Sequence, residues 1–165
     1  MFRTVQDFIE DYRDEAQDTE KLLNLLTDES LKAASTPGFR ALGHLAWHLV
    51  HNDAGMLRRI GLDFKAPPAS AEPLESAAAI AAAYRETADA LLEAASQWSD
   101  EKLLESHNVF GEAWQNGLTM LMFVKHEVHH RGQLTVLMRQ AGLPTAGVYG
   151  PTKEEWEKMG MTAPK

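Results

Sequence analysis

The sequence predicts an all-α fold, a four-helix bundle, and three observations predict it. Four long stretches place apolar residues at helical intervals, breaks rich in Pro, Gly and Ser separate them, and 165 residues suit one well-filled core. Residues 1–165 are therefore read as a single helical domain. The first helix spans about residues 3 to 27, where Val5, Phe8, Ile9, Tyr12, Ala16, Leu22, Leu23 and Leu26 recur among acidic residues. Thr36 followed by Pro37 offers a capping side chain and a first-turn residue that needs no N–H partner. A second helix is expected from there to about Ile60, closed by Gly61.

The third helix is expected from about Ala71 to Trp98, an alanine-rich stretch whose apolar stripe is Leu74, Ile80, Tyr84, Ala88, Leu91 and Leu92. Between Ser99 and Gln115 the pattern loosens. A short helical turn is expected at Ser99 to Leu104, then an irregular or extended stretch through His107, Val109, Phe110 and Gly111. Asn116 is placed to cap a fourth helix from Gly117 to Ala141, ended by Gly142 and Pro144. A last short helix is expected near Lys153 to Met159.

Composition narrows the chemistry. Twenty-four acidic against 16 basic residues give a net charge of −8, which would repel a phosphate backbone. Arg58, Arg59, Lys125, Arg131 and Arg139 lie scattered among Glu and His and read as solvated helix charges, so no nucleic-acid partner is expected. There is no cysteine, so disulfides, thiolate ligands and a cysteine nucleophile are excluded, and a metal would need His or carboxylate. The amino end, MFRTVQDFIEDYRDE, is charged throughout, and no apolar run approaches the ~18 residues of a membrane span. No membrane association is expected, and the default location is cytoplasmic.

Six of the seven histidines fall into two helical groups: His44, His48 and His51 on the second helix, and His126, His129 and His130 on the fourth. Residues four apart on a helix point the same way, so His126 and His130 can close on one ion. The row Leu118, Met122, His126, His130, Gln133 and Leu137 is expected to face inward, putting two imidazoles where Leu or Ile would otherwise stand. His129 lies to the side of that row. A third ligand must come from elsewhere. On the second helix the apolar stripe is Leu42, Leu45, Leu49, Met56 and Ile60; His48 flanks it, whereas His44 and His51 lie nearly opposite. The ligand set is thus His48, His126 and His130, with His44, His51, Asn52, Glu127, His129 and Gln133 as neighbours of the site and Trp47 as pocket wall or core.

The strings HEVHHRGQLTVLMRQAGLP with the following VYGP, and LGHLAWHLVHN on the second helix, resemble the two histidine segments of the DinB family of small helical metal-binding proteins. With the helix order, the resemblance covers nearly the whole chain. It implies a bundle of up-down-down-up topology, often a homodimer, with a three-histidine metal site corresponding to His48, His126 and His130. The family's name refers to induction by DNA damage, a stress-response setting that implies no DNA contact. Relatives of known activity include S-transferases and isomerases that use low-molecular-weight thiols.

His126-Glu127-Val128-His129-His130 also fits the HExxH pattern of zinc metalloproteases, with Glu127 as general base, but no convincing strand stands beside it to bind a peptide. Glu127 is read instead as a solvated residue or a neighbour of the ligands. Three neutral imidazoles leave a divalent ion, with zinc or nickel the best candidates, open positions for water, a thiol or a small-molecule substrate. A metal-dependent transferase or hydrolase is one expectation; a non-catalytic metal-binding helical dimer with a structural or stress-response role is the other.

Overall fold

The computed structural model describes residues 1–34, 38, 40–52 and 54–164. The expected helix start at Thr36 and Pro37 lies outside the described residues.

Helix α1, Val5–Leu23, begins where the Thr4 hydroxyl accepts a hydrogen bond from the Asp7 N–H at 3.1 Å. Its apolar face is buried, and a run of aromatic contacts links Phe2, Phe8, Tyr12 and Phe123, with ring centroids 5.4 to 5.7 Å apart. The helix stops short of the expected residue 27. Thr27 and Ser30 exchange side-chain to backbone hydrogen bonds, which offer the chain a turn in place of another helical one.

The expected second helix is two. Helix α2, Leu42–His51, ends at Asn52, whose φ of 25° and ψ of 53° lie in the left-handed region; α3 follows, Ala54–Arg59, and Gly61 closes it at φ 85°. Asparagine tolerates that region better than most side-chain-bearing residues. The carboxamide of Asn52 also gains a partner by the break, donating to Glu127 Oε2 at 2.8 Å.

Helix α4, Ala77–Ser96, starts six residues later than expected. Ser76 caps it and Asp28 Oδ1 accepts from the Ala77 N–H at 2.7 Å, while Leu74, expected in its apolar stripe, is exposed. A 3-10 turn, Asp100–Leu104, matches the expected helical turn.

The next stretch is a β-hairpin rather than irregular chain. Strands β1, Ser106–Val109, and β2, Glu112–Gln115, pair antiparallel with Ser106 opposite Gln115 and Val109 opposite Glu112. Phe110 and Gly111 both have positive φ, 53° and 88°, as a two-residue turn matched to strand twist requires.

Helix α5, Asn116–Gln140, is not capped by Asn116, whose buried side chain donates instead to the Lys102 carbonyl at 2.8 Å. Its end follows the expectation: the Leu143 N–H reaches back to the Met138 carbonyl at 2.9 Å around Gly142, at φ 75°. Helix α6, Lys153–Lys158, begins with a reciprocal Thr152–Glu155 capping box.

Helices α1 and α2 each pack against α4 and α5, and α3 packs on α5. The protein is therefore mostly helical, as expected, with one short sheet among the described residues. No helix among them is long and apolar enough to cross a membrane.

The amino end rests on the first turn of α5, where the Phe2 N–H donates to the Gly117 carbonyl and a Cβ added at Gly117 would lie 2.2 Å from the Phe2 carbonyl oxygen. Backbone cannot yield there as a side-chain tip can. Gly117→Ala is therefore expected to lower stability by about 1 to 3 kcal/mol, measured by urea unfolding.

Candidate metal centre

His48 stands on α2 one step aside from the buried Leu42, Leu45 and Leu49, which leaves its ring half-buried. His126 and His130 stand one turn apart on α5. One ligand nitrogen from each of the three comes within 4.8 Å of the others. His48 Nε2 and His126 Nε2 are 3.0 Å apart, and the His130 ring centroid lies 4.4 Å from both other rings. Two nitrogens each bound at about 2.0 to 2.1 Å to one ion, at angles between 90° and tetrahedral, stand about 2.9 to 3.4 Å apart. The donor set and its spacing thus suit a first-row divalent ion.

Two of the rings, His48 and His130, are held neutral, as ligation requires. Burial, then the charges of His130, Arg40, His51 and His126, push His48 down to about 3. Burial likewise lowers His130, against the hydrogen bond it donates to Gln133, which raises it. His130 Nδ1–H donates to Gln133 Oε1 at 2.8 Å, which directs the other ring nitrogen at the cluster. The Gln133 amide in turn donates to His129 Nε2 at 3.1 Å.

The expected neighbours divide. His51 meets the edge of His48 at 5.0 Å and His129 meets His130 at 5.0 Å. His44 is exposed on a cleft wall, and Gln133 is exposed although it was expected to face inward. Trp47 is buried and donates from Nε1 to the Ala71 carbonyl at 2.9 Å.

The row that carries the ligands runs along the edge of α5 against α2. The row turned fully inward is Met120, Phe123, Val124, Glu127, Arg131, Leu134 and Met138. Glu127 is not solvated: it is fully buried and accepts from Thr19 Oγ1 at 2.7 Å, from Asn52 Nδ2 at 2.8 Å and from the Tyr84 hydroxyl. Burial pushes its carboxyl above the usual range, while the hydrogen bonds from Tyr84 and Thr19 pull it down. Its oxygens are thus taken by the core, which argues against the HExxH assignment of a general base. Arg131 is also no solvated charge; it is 2% exposed, ion-paired with Glu15 and bonded to the Glu15 carbonyl at 2.8 Å. Glu127 and Arg131 lie four apart, a spacing that solvated charges on an exposed helix face share, so the sequence held no signal that this pair is buried.

Among the described residues, clefts reach each of His48, His126 and His130. One of about 650 Å³ touches His48 and is walled by Arg40, Trp47, His51 and Arg58. A second of about 550 Å³ touches His130 beside Arg40, Leu45 and Gln133. A third of about 400 Å³ reaches His126 from the hairpin, lined by Met56, Phe110, Trp114 and Met122. Sequence reasoning missed Arg40 and the hairpin aromatics, since neither belongs to a helical pattern.

A mostly helical protein with a three-histidine cluster open to clefts is the class that fold and site define. The chain belongs to the DinB family, whose profile matches residues 1–164. It is 44% identical over 166 residues to a protein of Bacillus subtilis (strain 168) described as uncharacterized protein YrdA, covering 100% of this chain and 99% of that one. A DinB-like protein from Bacillus cereus ATCC 10987 has the same fold, with 39% identity and a TM-score of 0.86 over 90% of this chain and 100% of the other. The DinB-like YjoA of Bacillus subtilis shares the fold at 15% identity, with a TM-score of 0.71 over 88% of this chain and 98% of its own.

Two outcomes follow from these positions. His48 is neutral in the fold but gains a proton near 6.5 in the unfolded chain. The unfolded state therefore binds more protons between about pH 6.5 and 3, and stability of the metal-free protein falls as pH drops through that window. His48→Ala is expected to give a shallower pH dependence in urea unfolding at pH 7, 5.5 and 4.5. Glu127→Ala strands three buried donors and is expected to cost about 3 kcal/mol in the same assay at pH 7. An unchanged unfolding midpoint would show that the carboxylate does not tie the helices.

Proposed function

We propose that this DinB-family protein holds one divalent transition-metal ion, zinc or nickel, through His48, His126 and His130, and acts with it on a small molecule as a thiol-dependent S-transferase or a hydrolase. The observation that carries the proposal is the approach of three ligand nitrogens, within 4.8 Å of one another, from two helices beside clefts large enough for a substrate. A divalent ion there supplies Lewis-acid chemistry, lowering the pKa of a bound water or thiol.

The chain's own residues prepare that site. Burial keeps His48 and His130 unprotonated, Gln133 fixes the orientation of His130, and His51 packs against the far ligand. The clefts at His48 and His130 are the substrate's approaches. We further read the chain as a single domain whose helices α1, α2, α4 and α5 form an up-down-down-up bundle; the packing of α1 and α2 against α4 and α5 supports this. The homodimer carried by the family resemblance belongs to the same reading, and sedimentation equilibrium checks it.

Elemental mass spectrometry of protein purified without an affinity tag is expected to find about one transition-metal ion per chain, lost in His126→Ala. No uptake of Zn²⁺, Ni²⁺ or Mn²⁺ by the native protein would overturn the metal reading. A bound ion with a closed shell and no exchangeable water, seen by X-ray absorption, would instead make it structural.

A further inference from the structure

The charge around the three histidines is one-sided. Three imidazoles bring no negative charge to an ion, and Glu127, beside His126 in sequence, is spent on Thr19, Tyr84 and Asn52 in the core. Arg40 stands on the other side of the balance. It is exposed and lines both the 650 Å³ cleft at His48 and the 550 Å³ cleft at His130, so the two clefts share it as a wall. Its charge bears on both of those rings.

In a chain of net charge −8, a cation on a cleft wall is readily neutralised, as Arg58 is on the same cleft. Arg58, on the same cleft, pairs with Asp63 at 3.4 Å and donates to the Phe64 carbonyl at 3.1 Å; Arg139 pairs with Glu154 at 2.6 Å. Arg40 has no hydrogen-bond or ion-pair partner among the described residues. Among the described residues, the acidic group on that cleft wall is Glu72.

We propose that Arg40 is the anion-recognising residue of the site: it takes a carboxylate of a small-molecule ligand whose metal-seeking end lies at His48, His126 and His130. The inference rests on the metal-site reading above and deepens it by naming a substrate class. One guanidinium presents a planar fork that matches the two oxygens of one carboxylate. A phosphate dianion would call for a second available guanidinium, and Arg58 on that cleft is engaged by Asp63 and the Phe64 carbonyl.

The test uses the full chain loaded with cobalt(II), whose visible absorption reports a ligand arriving at the ion. The probes are 3-mercaptopropionate and 2-mercaptoethanol, two thiols of which only the first carries a carboxylate. The native protein is expected to bind 3-mercaptopropionate roughly tenfold more tightly by calorimetry. Arg40→Gln removes that preference, and Arg40→Lys restores part of it, with cobalt content and far-ultraviolet circular dichroism unchanged in both. Equal affinities in the native protein, or a preference that survives Arg40→Gln, overturns the role of Arg40. Failure to take up cobalt, seen before any thiol is added, overturns the metal reading and this inference with it.

Discussion

One buried carboxylate ties the helices together. Glu127 on α5 accepts hydrogen bonds from Thr19 on α1, Asn52 at the end of α2 and Tyr84 on α4, so each of those helices meets α5 through the same two oxygens. An unpartnered carboxylate in such a place would cost several kcal/mol, and three donors offset that cost only when they come from the right directions. This demand fixes how α5 is rotated. With Glu127 inward, His126 and His130 fall on the edge against α2, and Arg131, one turn on, meets Glu15 of α1.

The same oxygens set the position of His48. Asn52 can reach Glu127 because the chain leaves α2 in a left-handed turn there, and its N–H still closes on the His48 carbonyl at 2.8 Å. His48 is one turn back from Asn52, and His126 and His130 are one and three residues from Glu127. The spacing of the three imidazoles is therefore held by packing outside the site, which is how a ligand set stays in place while one side remains open.

What surrounds the cluster separates tasks. On the core side Glu127 is buried and hydrogen-bonded to Thr19, Asn52 and Tyr84. Toward solvent, one wall carries the guanidinium of Arg40, which has no ion-pair partner among the described residues, and another the apolar Met56, Phe110, Trp114 and Met122 of the hairpin side. Phe110 keeps a strained left-handed backbone and remains exposed at the hairpin tip, where asparagine or glycine would be easier.

Local pattern was enough for much of this. Apolar residues at helical intervals located the long helices, Gly61 and Gly142 marked ends, and the i, i+4 pair His126 and His130 with flanking His48 named three histidines whose nitrogens the structure brings within 4.8 Å of one another. These are properties of neighbours in sequence, set by the helical repeat and by local hydrogen bonding. The break at Asn52, the hairpin, the inward turn of Glu127 and the station of Arg40 were decided only by tertiary structure. Glu127 meets partners 43, 75 and 108 residues away, and whether a charged residue four places from another is solvated or buried depends on donors that distant. No local periodicity carries that information, because the free energy that places such a group comes from helices the chain has not yet brought together.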